Sequence, residues 1–260
     1  MWPFTIIRAL GAFVFLPLVT VLTSVTVIIY GSTDRDEEIT YHMWLWSRIV
    51  LWYFGVRIVA EGFEKIPVTG GGILAFNHQS HFDIPAITGS SRRLVRYGAK
   101  IELFKIPFFG AAIRVAGCLP IARDNRREVF RIYQDAARKF EKGVVYALAP
   151  EGTRQEQPTI AKFKKGPFIF AANAGVPVIP VVVEGANRVL PKSRLLANLG
   201  CVRRTIRVRV LDPIYPTHRP ENIGDVVDPS VALDLLDRTR VAIVKGFEDL
   251  RQEAIAIMTH

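Results

Sequence analysis

The sequence predicts an α/β fold: a mixed, largely parallel sheet flanked by helices, entered through an N-terminal membrane-associated helical hairpin. Three observations carry this expectation. Short apolar runs of strand length, such as Ile73-Leu74-Ala75-Phe76 and Val144 to Ala149, end at Asn or Pro. Between such runs lie segments whose apolar residues recur at three- and four-residue steps, the period of a half-buried helix. Ahead of both, Ala9 to Tyr30 is a stretch of 22 residues without a charge.

As a helix that first stretch measures about 33 Å, enough to cross a hydrocarbon core or to lie in one leaflet with a kink at Pro17. It is long for a signal peptide and has no small-residue cleavage site, so a retained anchor is expected. After the acidic patch Asp34 to Glu38, a second apolar segment, His42 to Val59, carries Trp44, Trp46, Trp52, Tyr53 and Phe54 together with Arg48 and Arg57. Aromatic rings mixed with Arg suit the head-group level of a bilayer. Residues 1–60 are therefore expected to anchor the chain, and residues 61–260 to form one soluble domain.

Gly70-Gly71-Gly72 marks the turn into the strand 73–76. Leu94 to Ala99 reads as a further strand, Lys100 to Gly110 as a short helix closed by Pro107 and Gly110, and Gly117 to Arg123 as a strand ending in a basic residue. Val129, Ile132, Tyr133, Ala136, Ala137 and Phe140 define an amphipathic helix capped by Asp124 or Asn125 and stopped by Gly143. The strand 144–149 runs into Pro150-Glu151-Gly152-Thr153-Arg154. A helix over 167–174 precedes the strand 176–183, whose prolines suggest an edge position or an irregular start. Ile206, Val208 and Val210 alternate with Arg207 and Arg209, a strand with one wet, basic face. A long helix from Pro229 to Met258 closes the chain.

The net charge is +10, from 34 Lys and Arg against 24 Asp and Glu. Arg188, Lys192, Arg194, Arg203, Arg204, Arg207 and Arg209 fall within a stretch without an acidic residue, so a polyanion of some kind is an expected partner. Cys118 and Cys201, far apart and in no metal or redox spacing, read as ordinary thiols in a reducing compartment.

The stretch with chemistry in it is Asn77-His78-Gln79-Ser80-His81-Phe82-Asp83. On an unbroken helix, His78 and Asp83 would point about 140° apart, and in a strand they would sit roughly 16 Å apart. Only a tight turn from strand to helix lets the carboxylate reach the imidazole. Asp83 would then hold one ring nitrogen and leave the other as a general base. The alternatives are a helix cap beside a solvated ring, and a metal site, for which the spacing is wrong.

Taken together, the His78/Asp83 pattern, the strand ending at Arg123, the turn from Pro150 to Arg154 and the strand Val176-Pro177-Val178-Ile179-Pro180 resemble the glycerolipid acyltransferase family, in its 1-acyl-glycerol-3-phosphate acyltransferase branch. Lys100-Ile101-Glu102-Leu103 with Pro107 and Gly110 is also similar to that family, whereas Ala149 stands where the family usually has Phe. The likeness covers roughly residues 60 to 185. It implies acyl transfer from acyl-CoA or acyl carrier protein to the free hydroxyl of a lysophospholipid, with His78 and Asp83 as the catalytic pair. It also implies acceptor binding by Arg123, Glu151, Gly152, Thr153 and Arg154, with Lys100 as a charge stabiliser, and needs no metal or cofactor beyond the acyl donor. No Gly-x-Ser-x-Gly elbow supplies a serine nucleophile, and Cys118 reads as core filler, so direct transfer without a covalent intermediate is expected. Such an enzyme would work at a membrane, in a bacterium the inner membrane with the site on the cytoplasmic side. The expected alternatives are another lysophospholipid or glycerol 3-phosphate as acceptor, or a membrane-tethered polyanion binder without catalysis. No nucleic-acid-binding module is recognisable.

Overall fold

A computed structural model describes residues 2–31, 35–122, 125–156, 159–194, 197 and 204–259. In chain order the helices and strands are α1 (Trp2–Gly31), α2 (Asp36–Tyr53), β1 (Val56–Glu61), β2 (Gly72–Phe76), α3 (Asp83–Thr88), β3 (Val95–Lys100), α4 (Phe109–Val115), β4 (Leu119–Ile121), α5 (Arg126–Ala137), β5 (Val145–Leu148), α6 (Gly166–Ala174), β6 (Val178–Glu184), α7 (Ala186–Val189), β7 (Arg204–Val210) and α8 (Pro229–Thr259). The strands form one sheet in the order β1-β7-β6-β2-β5-β3-β4. Every pairing is parallel except β6 with β7. This is the mixed, largely parallel sheet expected from the sequence.

The period of two along each strand explains the layering. Leu74, Phe76, Val145, Ala147, Ile179 and Val181 belong to a core shared with Val50, Leu51 and Phe54, whereas Ile73, Ala75, Tyr146 and Leu148 face a second core with residues of α5, α6 and α8. Because both faces are covered, β2 and β5 are buried at every position, which is why they read as unbroken apolar runs.

Three expectations are corrected. The second apolar segment does not stay helical to Val59: α2 ends at Tyr53, and β1 joins the sheet beside β7, so the boundary at residue 60 falls within a strand. The run Lys100 to Gly110 is not one helix. A 3-10 turn spans Ile101–Lys105, and Pro107 and Gly110 sit at the start of α4 rather than closing a helix. Gly110 is required there because a Cβ would lie 2.3 Å from the Phe104 carbonyl oxygen. Finally, β6 is a central strand, between β7 and β2. The missing N–H of Pro180 falls where the β7 pairing shifts register, between the Val181–Val210 pair and the Val178–Ile214 bridge, so no ladder bond is lost.

The N-terminal hairpin forms as expected, α1 and α2 packing antiparallel with Phe15 stacked on Tyr53 and Tyr30 on His42. It is also part of the core: α2 buries Ile39, Ser47, Val50 and Leu51. The stretch Leu10–Gly31 is long and apolar enough to cross a membrane. Leu10, Phe13, Val14, Leu18, Leu22 and Ile29, at helical spacing on α1, are each more than half exposed.

Candidate active site

Parallel strands deliver their carboxyl ends to one edge of the sheet, where the crevices of open α/β sheets hold ligands. Since β2 and β5 are adjacent, the turn after β2 (77–82) and the turn after β5 (149–155) lie side by side. β3 brings Lys100 to the same edge, and β6 brings the segment from Gly185 to Lys192.

The chain leaves β2 through Asn77, which is fully buried. Its side-chain amide pairs in both directions with Val183 of β6, donating to the carbonyl at 2.9 Å and accepting from the N–H at 2.7 Å. The tight turn then closes on Asp83. Its Oδ2 accepts from the N–H groups of Gln79 (2.8 Å) and Ser80 (2.9 Å), and lies 2.7 Å from Nδ1 of His78. The carboxyl group is inaccessible to solvent, whereas the imidazole is 15% exposed. With Nδ1 donating to the carboxylate, Nε2 keeps its lone pair. The ring of Phe76 meets the imidazole edge-on at 5.7 Å.

The backbone of His78 is gripped by the neighbouring turn. Its N–H donates to Glu151 Oε1 at 2.8 Å, and its carbonyl accepts from the N–H of Gln155 at 2.8 Å. The second oxygen of Glu151 accepts from the Ala161 N–H at 2.9 Å. Glu151 is buried, and burial pushes its pKa up against the opposing pull of those two N–H donors. It is thus a brace between two loops, with both oxygens taken by backbone N–H groups. Gly152 sits at φ +73°, the left-handed region that side chains enter only at a cost, so the turn favours glycine; the end of Lys164 that a Cβ would meet can swing aside.

His78 opens onto a cavity of about 460 Å³. Its lining combines polar residues, His81, Thr153, Arg154, Lys100 and Lys192, with apolar ones, among them Ile84, Tyr97, Leu103, Phe109 and Ala112, and Val27, Met43 and Trp46 of the hairpin. Thr20, Thr23 and Ser24 of α1 also face it, with Trp46 Nε1 donating to Thr20 Oγ1 at 3.1 Å. Burial raises the pKa of Tyr97 and pushes the Cys118 thiol up to about 11, so both stay protonated and chemically quiet at neutral pH. His81 is exposed on one side, yet the protein around it partly desolvates the ring, and that desolvation first, then the charges of Arg154 and His78, lower its pKa.

Of the residues singled out by sequence, His78, Asp83, Glu151, Gly152, Thr153 and Arg154 come together. Arg154 Nη1 is buried without a hydrogen-bond partner among the described residues. Lys100 borders the cavity, but its ammonium is 3.1 Å from Glu102 and its side chain 52% exposed. Arg123 and Cys201 lie outside the described residues. Sequence reasoning missed the role of α1 and α2 as a cavity wall, for which the Thr20-Thr23-Ser24 interruption of an apolar helix was the available signal. It also missed that the basic stretch is largely spoken for: Arg188 and Arg207 both reach the buried Glu184 (2.7 and 3.5 Å), and Arg209 pairs with Glu61 and Glu253. A polyanion-binding face built on those arginines is therefore not what the structure presents.

A family model described as Acyltransferase matches residues 57–184. The chain is 31% identical over 173 residues to the chloroplastic 1-acyl-sn-glycerol-3-phosphate acyltransferase of Arabidopsis thaliana, a match covering 66% of this chain and 47% of that one. It is 27% identical over 209 residues to the 1-acyl-sn-glycerol-3-phosphate acyltransferase of Escherichia coli strain K12, covering 78% and 82% respectively. The chain thus spans about half the length of the plant relative. The crystal structure of the 1-acyl-sn-glycerophosphate (LPA) acyltransferase from Thermotoga maritima superposes with a TM-score of 0.73 at 24% identity, over 95% of this chain and 98% of that one. At that identity the likeness speaks for the fold.

Proposed function

This chain belongs to the glycerolipid acyltransferase family, in its 1-acyl-sn-glycerol-3-phosphate branch, and on that premise we propose that it moves a fatty acyl group from a thioester donor to the sn-2 hydroxyl of 1-acylglycerol 3-phosphate, giving phosphatidic acid. The observation that carries the reading is the 2.7 Å contact between His78 Nδ1 and the buried Asp83 carboxylate, beside a cavity that the same imidazole lines.

The chemistry follows from the atoms available. An alcohol is a weak nucleophile at neutral pH, so Nε2 of His78 takes its proton as the oxygen attacks the thioester carbonyl. Asp83 holds the ring in the required tautomer and faces the imidazolium that forms. The tetrahedral oxyanion collapses by expelling the thiolate, which recovers the proton from His78, so no acyl-enzyme is needed. Arg154, with one buried nitrogen unpartnered, suits a phosphate oxygen. The apolar part of the cavity lining suits an acyl chain, and the cavity volume is within the roughly 300–1,000 Å³ of ligand pockets. The exposed apolar face of α1 fits attachment to a bilayer, where the acceptor and product reside.

The test is thiol release from acyl-CoA by the purified protein, offered a panel of lysolipids and glycerol 3-phosphate. Turnover with lysophosphatidic acid that disappears in His78→Ala is expected. Preference for an acceptor without a phosphate monoester would overturn the assignment. Replacing acyl-CoA by acyl carrier protein in the same assay identifies the donor.

A further inference from the structure

Among the cations of the basic stretch, Lys192 differs from its neighbours. Arg188, Arg207 and Arg209 are answered by carboxylates, whereas Lys192 has no acidic partner among the described residues and lines the same cavity as His78, Thr153 and Arg154. Nor is its position left to a free loop. The hydroxyl of Ser80, fully buried, donates to the Leu190 carbonyl at 2.8 Å, while the N–H of Ser80 donates to Asp83 Oδ2. The segment carrying Lys192 is thus bolted to the turn that aims the imidazole, with Pro191 restricting the step between them.

We propose that Lys192 binds the phosphate monoester of the acceptor together with Arg154, and that it is a specificity residue for phosphate-bearing lysolipids. The proposal rests on the acyltransferase reading above. A phosphate monoester carries about −1.5 to −2 charges near pH 7, which one guanidinium leaves incompletely neutralised. Lys100 is engaged by Glu102, whereas Lys192 is a cation at this edge with no acidic partner among the described residues, and an ammonium serves phosphate as a mobile point charge. The acceptor is the matching source: its phosphate is a few bonds from the hydroxyl that His78 must reach, whereas the phosphates of a CoA donor lie at the far end of a pantetheine arm.

The experiment compares Lys192→Met and Lys192→Arg with the wild-type full chain, measuring kcat and KM for lysophosphatidic acid and for acyl-CoA separately, with thermal melting as a control. Lys192→Met should raise the acceptor KM on the order of tenfold, the scale of one charge-assisted hydrogen bond, leave the donor KM unchanged, and be largely rescued in Lys192→Arg. An unchanged acceptor KM, a rise confined to the donor KM, or a general loss of turnover with a lowered melting temperature overturns the role of Lys192 while leaving the acyltransferase reading in place. A wild-type protein that does not turn over lysophosphatidic acid overturns both.

Discussion

Two charged regions of this molecule meet the sheet edge and behave in opposite ways. In the turn after β2, one acid and one imidazole converge, the acid buried with Oδ2 holding two backbone N–H groups as well as the ring, the imidazole left with one free nitrogen at a cavity. In the run after β6, charge is far denser, yet Arg188, Arg207 and Arg209 are folded back onto Glu184, Glu61 and Glu253. The number of charges in a segment therefore says little about where chemistry occurs. What distinguishes a working group is that the fold fixes it and leaves one of its valences unspent. By that measure His78, Arg154 and Lys192 are the groups proposed to act together, and Arg207 and Arg209 belong to the scaffold.

Three substitutions can break or sharpen this contrast. The largest effect is expected for Glu151→Gln. The carboxylate accepts one N–H on each oxygen, and an amide has a single acceptor, so either His78 or Ala161 would face an NH₂ group. Loss of about 1–3 kcal/mol follows, and with the His78 backbone displaced kcat should drop on the order of ten- to a hundredfold, read in steady-state assays with little change in KM.

Arg209→Ala should act the other way round. Melting experiments should register a loss of about 0.5–1 kcal/mol as its ion pairs with Glu61 and Glu253 go, with kcat and KM untouched. A collapse of activity in that variant would mean the basic strand is functional after all.

The smallest effect concerns pH. The pKa of His81 in the folded chain is below its ordinary 6.5, so just below that pH the unfolded chain binds more protons than the folded one. Stability gained from the other groups is then progressively offset as the pH falls from about 7 through 6.5 toward the lowered value. Relative to wild type, His81→Asn should gain melting temperature over that interval and match it above. A gap independent of pH would show that Arg154 and burial do not act on this ring.

The sheet and the His-Asp turn were legible in the sequence for physical reasons. Strands buried on both faces must be apolar throughout, and two groups five residues apart can meet only in a turn, so the reading needed no side-chain detail. The errors came where tertiary context overrides local signals. Pro180 looks like an edge marker until the β7 register shift absorbs its missing N–H. The aromatic segment after Tyr41 continued the helical pattern past Tyr53, but pairing with β7 draws Val56–Glu61 into the sheet. The Glu184–Arg188 pair lies four residues apart, but nothing local announced that Glu184 would also reach Arg207 and Glu253 reach Arg209, nor that the hairpin helices would wall the cavity. Hydrophobic periodicity marks which face of a helix is apolar, not which partner covers it.

The central claim, that Asp83 acts through the His78 imidazole, is tested most directly by a double-mutant cycle on kcat for acyl transfer to lysophosphatidic acid, using His78→Ala, Asp83→Asn and the double variant. The account predicts that the double variant is no slower than His78→Ala alone, since the carboxylate has nothing left to orient. Losses that multiply, with the double variant slower by the product of the two single effects, would contradict it.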